Sequence, residues 1–316
     1  MVRTRRGSPV VAAVDIGSYS VHLLVARIHG RRIETLHDES AFLGLGRAID
    51  DAGRIGTAGD LVVETLERYF LTAQALEAWV MVVVATDPFR RAPDASDLET
   101  RIKARLGLEI ITLSHEEEAR IALIGAQAGA PIRRATALVD VGGGSTEVLL
   151  AGPGLATEAV GLPLGASRLT GVHVRHDPPL PTELSAMLAD ASVAFARGPD
   201  ALPATLIAVG GTARSLLRVG PPLANRTLSW RRIRSALSLA AEAPSADLAA
   251  RFGIRPSRAA VLPAGAAILL AAISRYGLDH LSVARGGLRE GLVLARVHGG
   301  AGWREAIEEL ALGWDD

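Results

Sequence analysis

Two stretches of the chain repeat one another: VAAVDIGSYSVHLLVARI at residues 11–28 is answered by TALVDVGGGSTEVLLAG at residues 136–152. Each runs an apolar strand into an aspartate, a turn of small residues and a second apolar strand. Aligning Asp15 with Asp140 sets Gly17 against Gly142, Ser20 against Ser145 and His22 against Glu147. Glycine at the same turn position in both copies fits a hairpin whose backbone must come close to a ligand. The segments downstream of the two hairpins correspond as well. After the first hairpin come strand patterns near residues 32–37, 79–85 and 108–113 with helical patterns between them; after the second come 156–161, 205–209 and 281–284, again separated by helices. A duplicated unit of this kind predicts an α/β fold with a central sheet covered by helices on both faces in each half, and a cleft where the two hairpin turns meet.

Helix start and stop signals support that plan. Thr57 with Asp60 predicts a capped helix to about residue 77, and Asp94 with Asp97 another that ends at Gly107. Ser114 and Glu117 form a capping box that opens a helix through Gly125. Pro181 opens a helix to about residue 196, Pro256 and Ser257 begin an apolar one ending at Gly277, and residues 303–312 read as a short amphipathic helix. Gly152-Pro153-Gly154 and Gly220-Pro221-Pro222 mark loops.

Composition narrows the chemistry. At 316 residues and 49% hydrophobic content the chain can build two cores. Its 34 basic and 34 acidic side chains cancel, so no overall field favours nucleic acid or an anionic membrane, and a polyanion must be captured locally. Lys103 is the single lysine, which excludes a lysine-dependent P-loop and leaves guanidinium forks and backbone N–H groups to bind phosphate. The absence of cysteine removes thiol nucleophiles and thiolate metal sites and fits a cytoplasmic protein. Arg3, Arg5 and Arg6 precede an apolar stretch, but Asp15 ends it after about six residues, too few for a secretion signal. The apolar runs at 79–85 and 264–273 fall well short of the ~20 residues of a membrane span. His173 and His176 form an isolated HxxH that reads as a loop.

In the turn DVGGGSTE, three consecutive glycines offer free N–H groups to an anion. Asp140 and Glu147, at its two ends, face one end of the cleft and suit a hard divalent cation such as Mg2+. A plain tight turn with surface acids is the competing reading. Among Glu116, Glu117 and Glu118, helix-start electrostatics explain the first two. Glu118 shares a helical face with Ile121 and Ala122, so it projects inward, where a carboxylate can take the proton of a water attacking a phosphoryl group.

The segments DIGSYS, ATDPFRRA, LSHEEEARIALIG, DVGGGSTE, PLGASRLT, AVGGTARSL and GGLREGL resemble, in order and spacing, the motifs of the exopolyphosphatase / pppGpp phosphohydrolase family of the actin-like ATPase superfamily. The resemblance spans residues 11–295. It implies two duplicated actin-like, ribonuclease H-like domains, here 1–128 and 129–316, around an interdomain cleft. It implies a cytoplasmic phosphohydrolase that releases orthophosphate from inorganic polyphosphate or from pppGpp, with Mg2+ as cofactor. By the same resemblance Glu118 takes the place of the catalytic base, and Arg90 that of an arginine steadying the phosphate chain. Asp140 and Glu147 match the metal-associated acids. The phosphate loops are Gly17, Ser18, Tyr19 and Ser20, then Gly142, Gly143, Gly144, Ser145 and Thr146, with Gly210, Gly211 and Thr212 as a further turn. The chain stops soon after the second unit, as in short family members, which favours short polyphosphate chains. A homodimer is left open.

Five positions depart from the family pattern: Tyr19 stands where a small amide is expected, Asp87 and Pro88 where a hydroxyl and then a small residue are, Gly171 for a glutamate and Ala260 for an aspartate. Two alternatives stay open. One is a catalytically weakened sensor of pppGpp, ppGpp or polyphosphate, favoured by Tyr19 and Asp87. The other, a sugar or acid kinase of the same superfamily, rests on the shared fold and the GGT of Gly210, Gly211 and Thr212 alone.

Overall fold

The computed structural model describes residues 8–153 and 155–314. Arg3, Arg5 and Arg6, and Gly154 of the first breaker, lie outside the described residues. In the first half, strands β1 (Val10–Ile16), β2 (Ser20–His29), β3 (Arg32–Phe42), β4 (Val80–Ala85) and β5 (Ile110–Thr112) form a sheet in the order β3-β2-β1-β4-β5. Its helices are α1 (Leu45–Ala52), α2 (Ala58–Ala75), α3 (Asp87–Arg91), α4 (Ala95–Leu106) and α5 (His115–Gln127). In the second half, β6 (Thr136–Val141), β7 (Thr146–Ala151), β8 (Glu158–Leu162), β9 (Thr205–Val209), β10 (Thr227–Ser229) and β11 (His280–Val283) take the order β10-β11-β9-β6-β7-β8. Around them lie α6 (Ala166–His173), α7 (Pro181–Phe195), α8 (Gly210–Arg218), α9 (Trp230–Glu242), α10 (Ser245–Phe252), α11 (Pro256–Ala260), α12 (Leu262–Arg275), α13 (Leu288–His298) and α14 (Ile307–Ala311).

With β10 set aside, the second sheet repeats the first strand for strand: an antiparallel three-stranded meander followed by two parallel crossover strands. The duplication extends to single residues. Asp15 pairs with His22 across β1–β2 and Asp140 with Glu147 across β6–β7. Both turns are closed by equivalent bonds, Gly17 N–H to Ser20 C=O at 3.1 Å and Gly142 N–H to Ser145 C=O at 3.0 Å.

Both sheets are buried on two faces, which is why their central strands read as unbroken apolar runs. Val11 and Ala13 of β1 face a core shared by both halves, while Ala12, Val14 and Ile16 face α1–α4. In β6, Leu138 faces the shared core, and Ala137, Val139 and Val141 face the helices of the second half. The shared core is filled by α5 and α13. Helix α13 packs on β1 and β2 of the first sheet, and α5 on β6, β7 and β8 of the second. The two helices meet through glycine: a Cβ on Gly291 would collide with the Ile121 carbonyl oxygen, and one on Gly125 with the Gly287 carbonyl oxygen. Gly291→Ala is therefore expected to lower stability by about 1–3 kcal/mol through overpacking, seen as a fall in Tm, whereas Gly171→Ala, in helix α6 with open space around it, should leave Tm unlowered or raise it slightly.

Several local expectations are corrected. Neither Thr57 nor Asp94 caps its helix with its side chain. Asp94 instead accepts from the Ile55 and Gly56 N–H groups at 3.0 and 2.8 Å, a tertiary use that outcompetes the cap. The helix expected from Pro256 to Gly277 is two helices broken at Val261, because Pro263 near the start of α12 has no N–H to continue the ladder. The terminal helix is confined to Ile307–Ala311 after a 3-10 turn. The Ser114–Glu117 capping box forms in both directions. Among the described residues, no helix is long and apolar enough to cross a membrane.

Candidate active site

The two hairpin turns face each other across an open cleft of ≈ 820 Å³, solvent-open space included, lined by Gly17 to Ser20, Gly142 to Ser145, Gly210 and Gly211 among others. Glycine sets how closely the halves approach. A Cβ on Gly143 would stand 3.1 Å from the Tyr19 Cβ, and one on Gly144 would run into the Ser18 Oγ and the Asp87 carboxylate. The second turn can touch the first because it presents bare backbone there.

Four carboxylates collect beneath the turns. Asp15 and Asp140 occupy equivalent strand positions; Glu147 follows on β7 and is fully buried; Glu118 projects from the first turn of α5 and is 7% exposed. Arg90, from α3, ties two of them together. Its Nη1 donates to Glu118 Oε2 at 2.8 Å and to the Leu113 carbonyl at 2.9 Å, and its Nη2 lies 3.5 Å from Glu147 Oε1. On the other side His115 Nδ1 sits 2.8 Å from the same Glu147 oxygen. His115, Glu118 and Glu147 each bring a ligand atom within 4.8 Å of the others, a grouping able to hold a metal ion. Asp140 lines the cleft beside this group.

The neighbouring arginines, Arg90, Arg289 and Arg214, do not offset the cost of holding so many acids out of water. Burial pushes Asp15 up to about 7, with Arg289 opposing and Asp140 adding to the rise. Burial likewise raises Asp140 to about 6, against Arg214, and Glu147 to about 8, with Asp140 adding. Glu118 is pushed well above the carboxylate range by burial and by Glu147, against Arg90. Asp15 Oδ1 and Glu147 Oε2 are buried without a hydrogen-bond partner. An unmet acceptor on Asp15 in the cleft lining, with a second on the buried Glu147, fits a hard divalent cation.

These shifts carry a prediction. Between the ordinary carboxylate values of 3.8 and 4.5 and the raised ones, the folded chain holds more protons than the unfolded chain, so this stabilising contribution is lost as pH rises. With chelator present, Tm should fall from about pH 5 to about pH 8, and Glu147→Gln should flatten the fall. A Tm that stays level or climbs across that window, and is untouched by the substitution, contradicts the assignment.

The hydroxyls of the first turn are engaged within the chain. Ser18 donates to Asp87 Oδ2 at 2.5 Å, and Ser20 Oγ lies 2.6 Å from His22 Nε2. Asp87 is also paired with Arg91 at 3.1 Å, and Arg91 with Asp50, so its charge is balanced within the first half. The Tyr19 ring is edge-to-face with Phe42 and lies under Arg258. Thr146 and Thr212 are buried and do not line the cleft. The Thr146 hydroxyl donates to the Leu164 carbonyl, and the Thr212 methyl faces Gly265. Arg90 acts on carboxylates and is likewise not among the lining residues, and neither is the fully buried Glu147, which was expected at the metal site. Gly171 and Ala260 are exposed, away from the cleft. His173 and His176 pair separately with Asp190 and Glu183. The sequence reading did not assign His115, Asp15 or Arg289 to the site. His115 had a signal, since it stands three positions before Glu118 on the same helical face.

A model of the Ppx/GppA phosphatase family matches residues 24–299. The chain belongs to the Ppx/GppA phosphatase family. Exopolyphosphatase 1 of Mycobacterium tuberculosis is 29% identical over 324 residues, covering 96% of this chain and 92% of that protein. Exopolyphosphatase 1 of Mycobacterium leprae is 28% identical, covering 91% and 89%. Among solved structures, the Ppx/GppA family member of Aquifex aeolicus superposes with a TM-score of 0.79 at 27% identity, covering 93% of this chain and 99% of that one. An exopolyphosphatase of Cytophaga hutchinsonii shares the fold, with a TM-score of 0.79 at 21% identity over 92% and 98% of the two chains. The duplicated actin-like architecture is thus that of Ppx/GppA proteins, and this chain is a hydrolase of that family.

Proposed function

We propose that this Ppx/GppA enzyme releases orthophosphate from the end of an inorganic polyphosphate chain. The observation that carries the reading is the set of four desolvated, under-neutralised carboxylates beneath two glycine turns that expose backbone N–H groups. It is supported by relatives named exopolyphosphatase that match nearly the full chain. Asp140 and Glu147, with the unpartnered Asp15 oxygen, would hold Mg2+, which when bound neutralises charge on the phosphate oxygens.

The protein's own groups then divide the work. N–H groups of the turn residues after Gly17 and Gly142, whose own N–H groups close the turns, hold the terminal phosphate from two sides. Arg90 fixes the Glu118 carboxylate by the 2.8 Å bond, leaving the other carboxylate oxygen to accept a proton from water. Water oxygen bonds to the terminal phosphorus, the proton passes to Glu118, and the bridging P–O bond breaks with its electrons leaving on the shortened chain. The units 1–128 and 129–316, each carrying one turn, bring these groups together.

A second reading, a polyphosphate or guanosine polyphosphate sensor with weakened catalysis, is favoured by one contact: Asp87 takes the Ser18 hydroxyl that a phosphate would otherwise receive. Incubation with polyphosphate and with pppGpp, in parallel, separates the readings. Stepwise orthophosphate release from polyphosphate supports the enzyme. Tight binding of either ligand without release supports the sensor and overturns the hydrolytic proposal.

A further inference from the structure

His115 brings a nitrogen donor to a cluster whose other donors are carboxylate oxygens, and the fold makes a seat for its ring. The capping box of Ser114 and Glu117 fixes the first turn of α5, from which His115 and Glu118 project three positions apart on one face. Across β7–β8, Glu147 pairs with Gly161. A Cβ on Gly161 would fall 2.0 Å from His115 Cγ, so the imidazole occupies the space that a side chain beside Glu147 would fill. Its Nδ1 lies 2.8 Å from Glu147 Oε1. The His115 side chain is 38% exposed, open to an ion from solvent, while Glu147 is fully buried and its Oε2 has no hydrogen-bond partner.

The ligand atoms of His115, Glu118 and Glu147 already lie within 4.8 Å of one another. Tetrahedral Zn2+, with bonds of about 2.0–2.2 Å, keeps its donors about 3.4 Å apart, so small side-chain movements close such a site. Nε2 of His115 has no partner among the described residues, so the ring can carry its proton there and turn the Nδ1 lone pair to a metal. One imidazole and two carboxylates, with a position open to water, suit Zn2+ and its neighbours, whereas Mg2+ draws on oxygen donors alone. Among the described residues no other three histidine or acidic side chains are grouped in this way. The pairs His29–Glu34 and His173–Asp190 bring two such donors each.

We propose that His115, Glu118 and Glu147 form a second cation site, which takes Zn2+ or a similar transition metal and stops hydrolysis when filled. The inhibitory role rests on the hydrolytic reading above; the site itself does not. Arg90 holds Glu118 Oε2, so a metal on Glu118 takes the oxygen that would accept the proton of the attacking water. The same metal draws on Glu147, which Mg2+ would otherwise use. Filling the site thus withdraws the base and a Mg2+ ligand together and leaves the glycine turns untouched.

The test is direct metal binding to the full chain without substrate. Co2+ stands in for Zn2+, because its visible absorption reports its coordination. The parent should bind one tight equivalent of Co2+, displaced by Zn2+ and retained in a large excess of Mg2+. His115→Gln and Glu118→Gln should each weaken that binding at least about tenfold. No tight binding by the parent, loss of Co2+ to excess Mg2+, or undiminished affinity in either variant overturns the site, the last by placing the ion on surface pairs such as His173–Asp190. Polyphosphate hydrolysis in Mg2+ is then titrated with Zn2+. The concentration for half inhibition should rise at least about tenfold in His115→Gln, and an unchanged value overturns the inhibitory role. A parent protein that hydrolyses no polyphosphate sinks the functional reading instead, and the Co2+ titration still decides the site.

Discussion

Glu118→Gln is expected to lower kcat for phosphate release by about three orders of magnitude while KM stays within a few-fold. The amide preserves shape and can still meet Arg90, but it accepts no proton from the attacking water. Because Glu118 is pushed upward by burial and by Glu147, and held down by Arg90, its basicity is set by neighbours that the substitution leaves in place. Stopped-flow or steady-state release of orthophosphate from polyphosphate measures the effect. A parallel loss in kcat and in affinity would assign Glu118 a structural role; full activity would remove it from the mechanism.

The second large effect has two signs. Glu147→Gln should raise the Mg2+ concentration needed for half-maximal activity by at least about tenfold, as expected when a ligand set loses a carboxylate. In the same variant the Tm measured in chelator should rise, because a fully buried carboxylate with one unpartnered oxygen is replaced by a neutral group. Weaker metal dependence together with higher metal-free stability is a pattern that a damaged fold does not give. Asp140→Asn should shift the Mg2+ requirement in the same direction, and the double variant should fall short of the product of the two, as the proposed sharing of one ion requires. Magnesium titrations of activity and thermal melts with chelator report the two quantities.

What the sequence made legible was whatever depended on local chemistry. The matched hairpins were readable because strand, turn and strand lie within one short segment, and the Asp140–Glu147 register comes from the turn itself. Glu118 was readable as inward from its helical face, and the capping box from Ser114 and Glu117. Asp87 pairs with Arg91 four positions later on the same helix, a pairing that helix spacing makes legible. Contacts between distant segments were not legible. His115 meets Glu147 because α5 packs on the second sheet, and Tyr19 lies under Arg258 because the two halves close over one another. Asp94 misled for the same reason, since its bonds to Ile55 and Gly56 overrode its capping preference, while Thr57 takes a helical backbone in place of the extended one a cap needs. Arg90, assigned to the phosphate chain by resemblance, is engaged with Glu118 and Glu147, an arrangement visible only in three dimensions.

The most direct measurement of the central claim is orthophosphate release from inorganic polyphosphate by the parent chain, with pppGpp and ATP alongside, in Mg2+ and in chelator. The account predicts Mg2+-dependent release that is fastest on polyphosphate and abolished by chelator. Release from none of the three, or release from polyphosphate that persists in chelator, would contradict it.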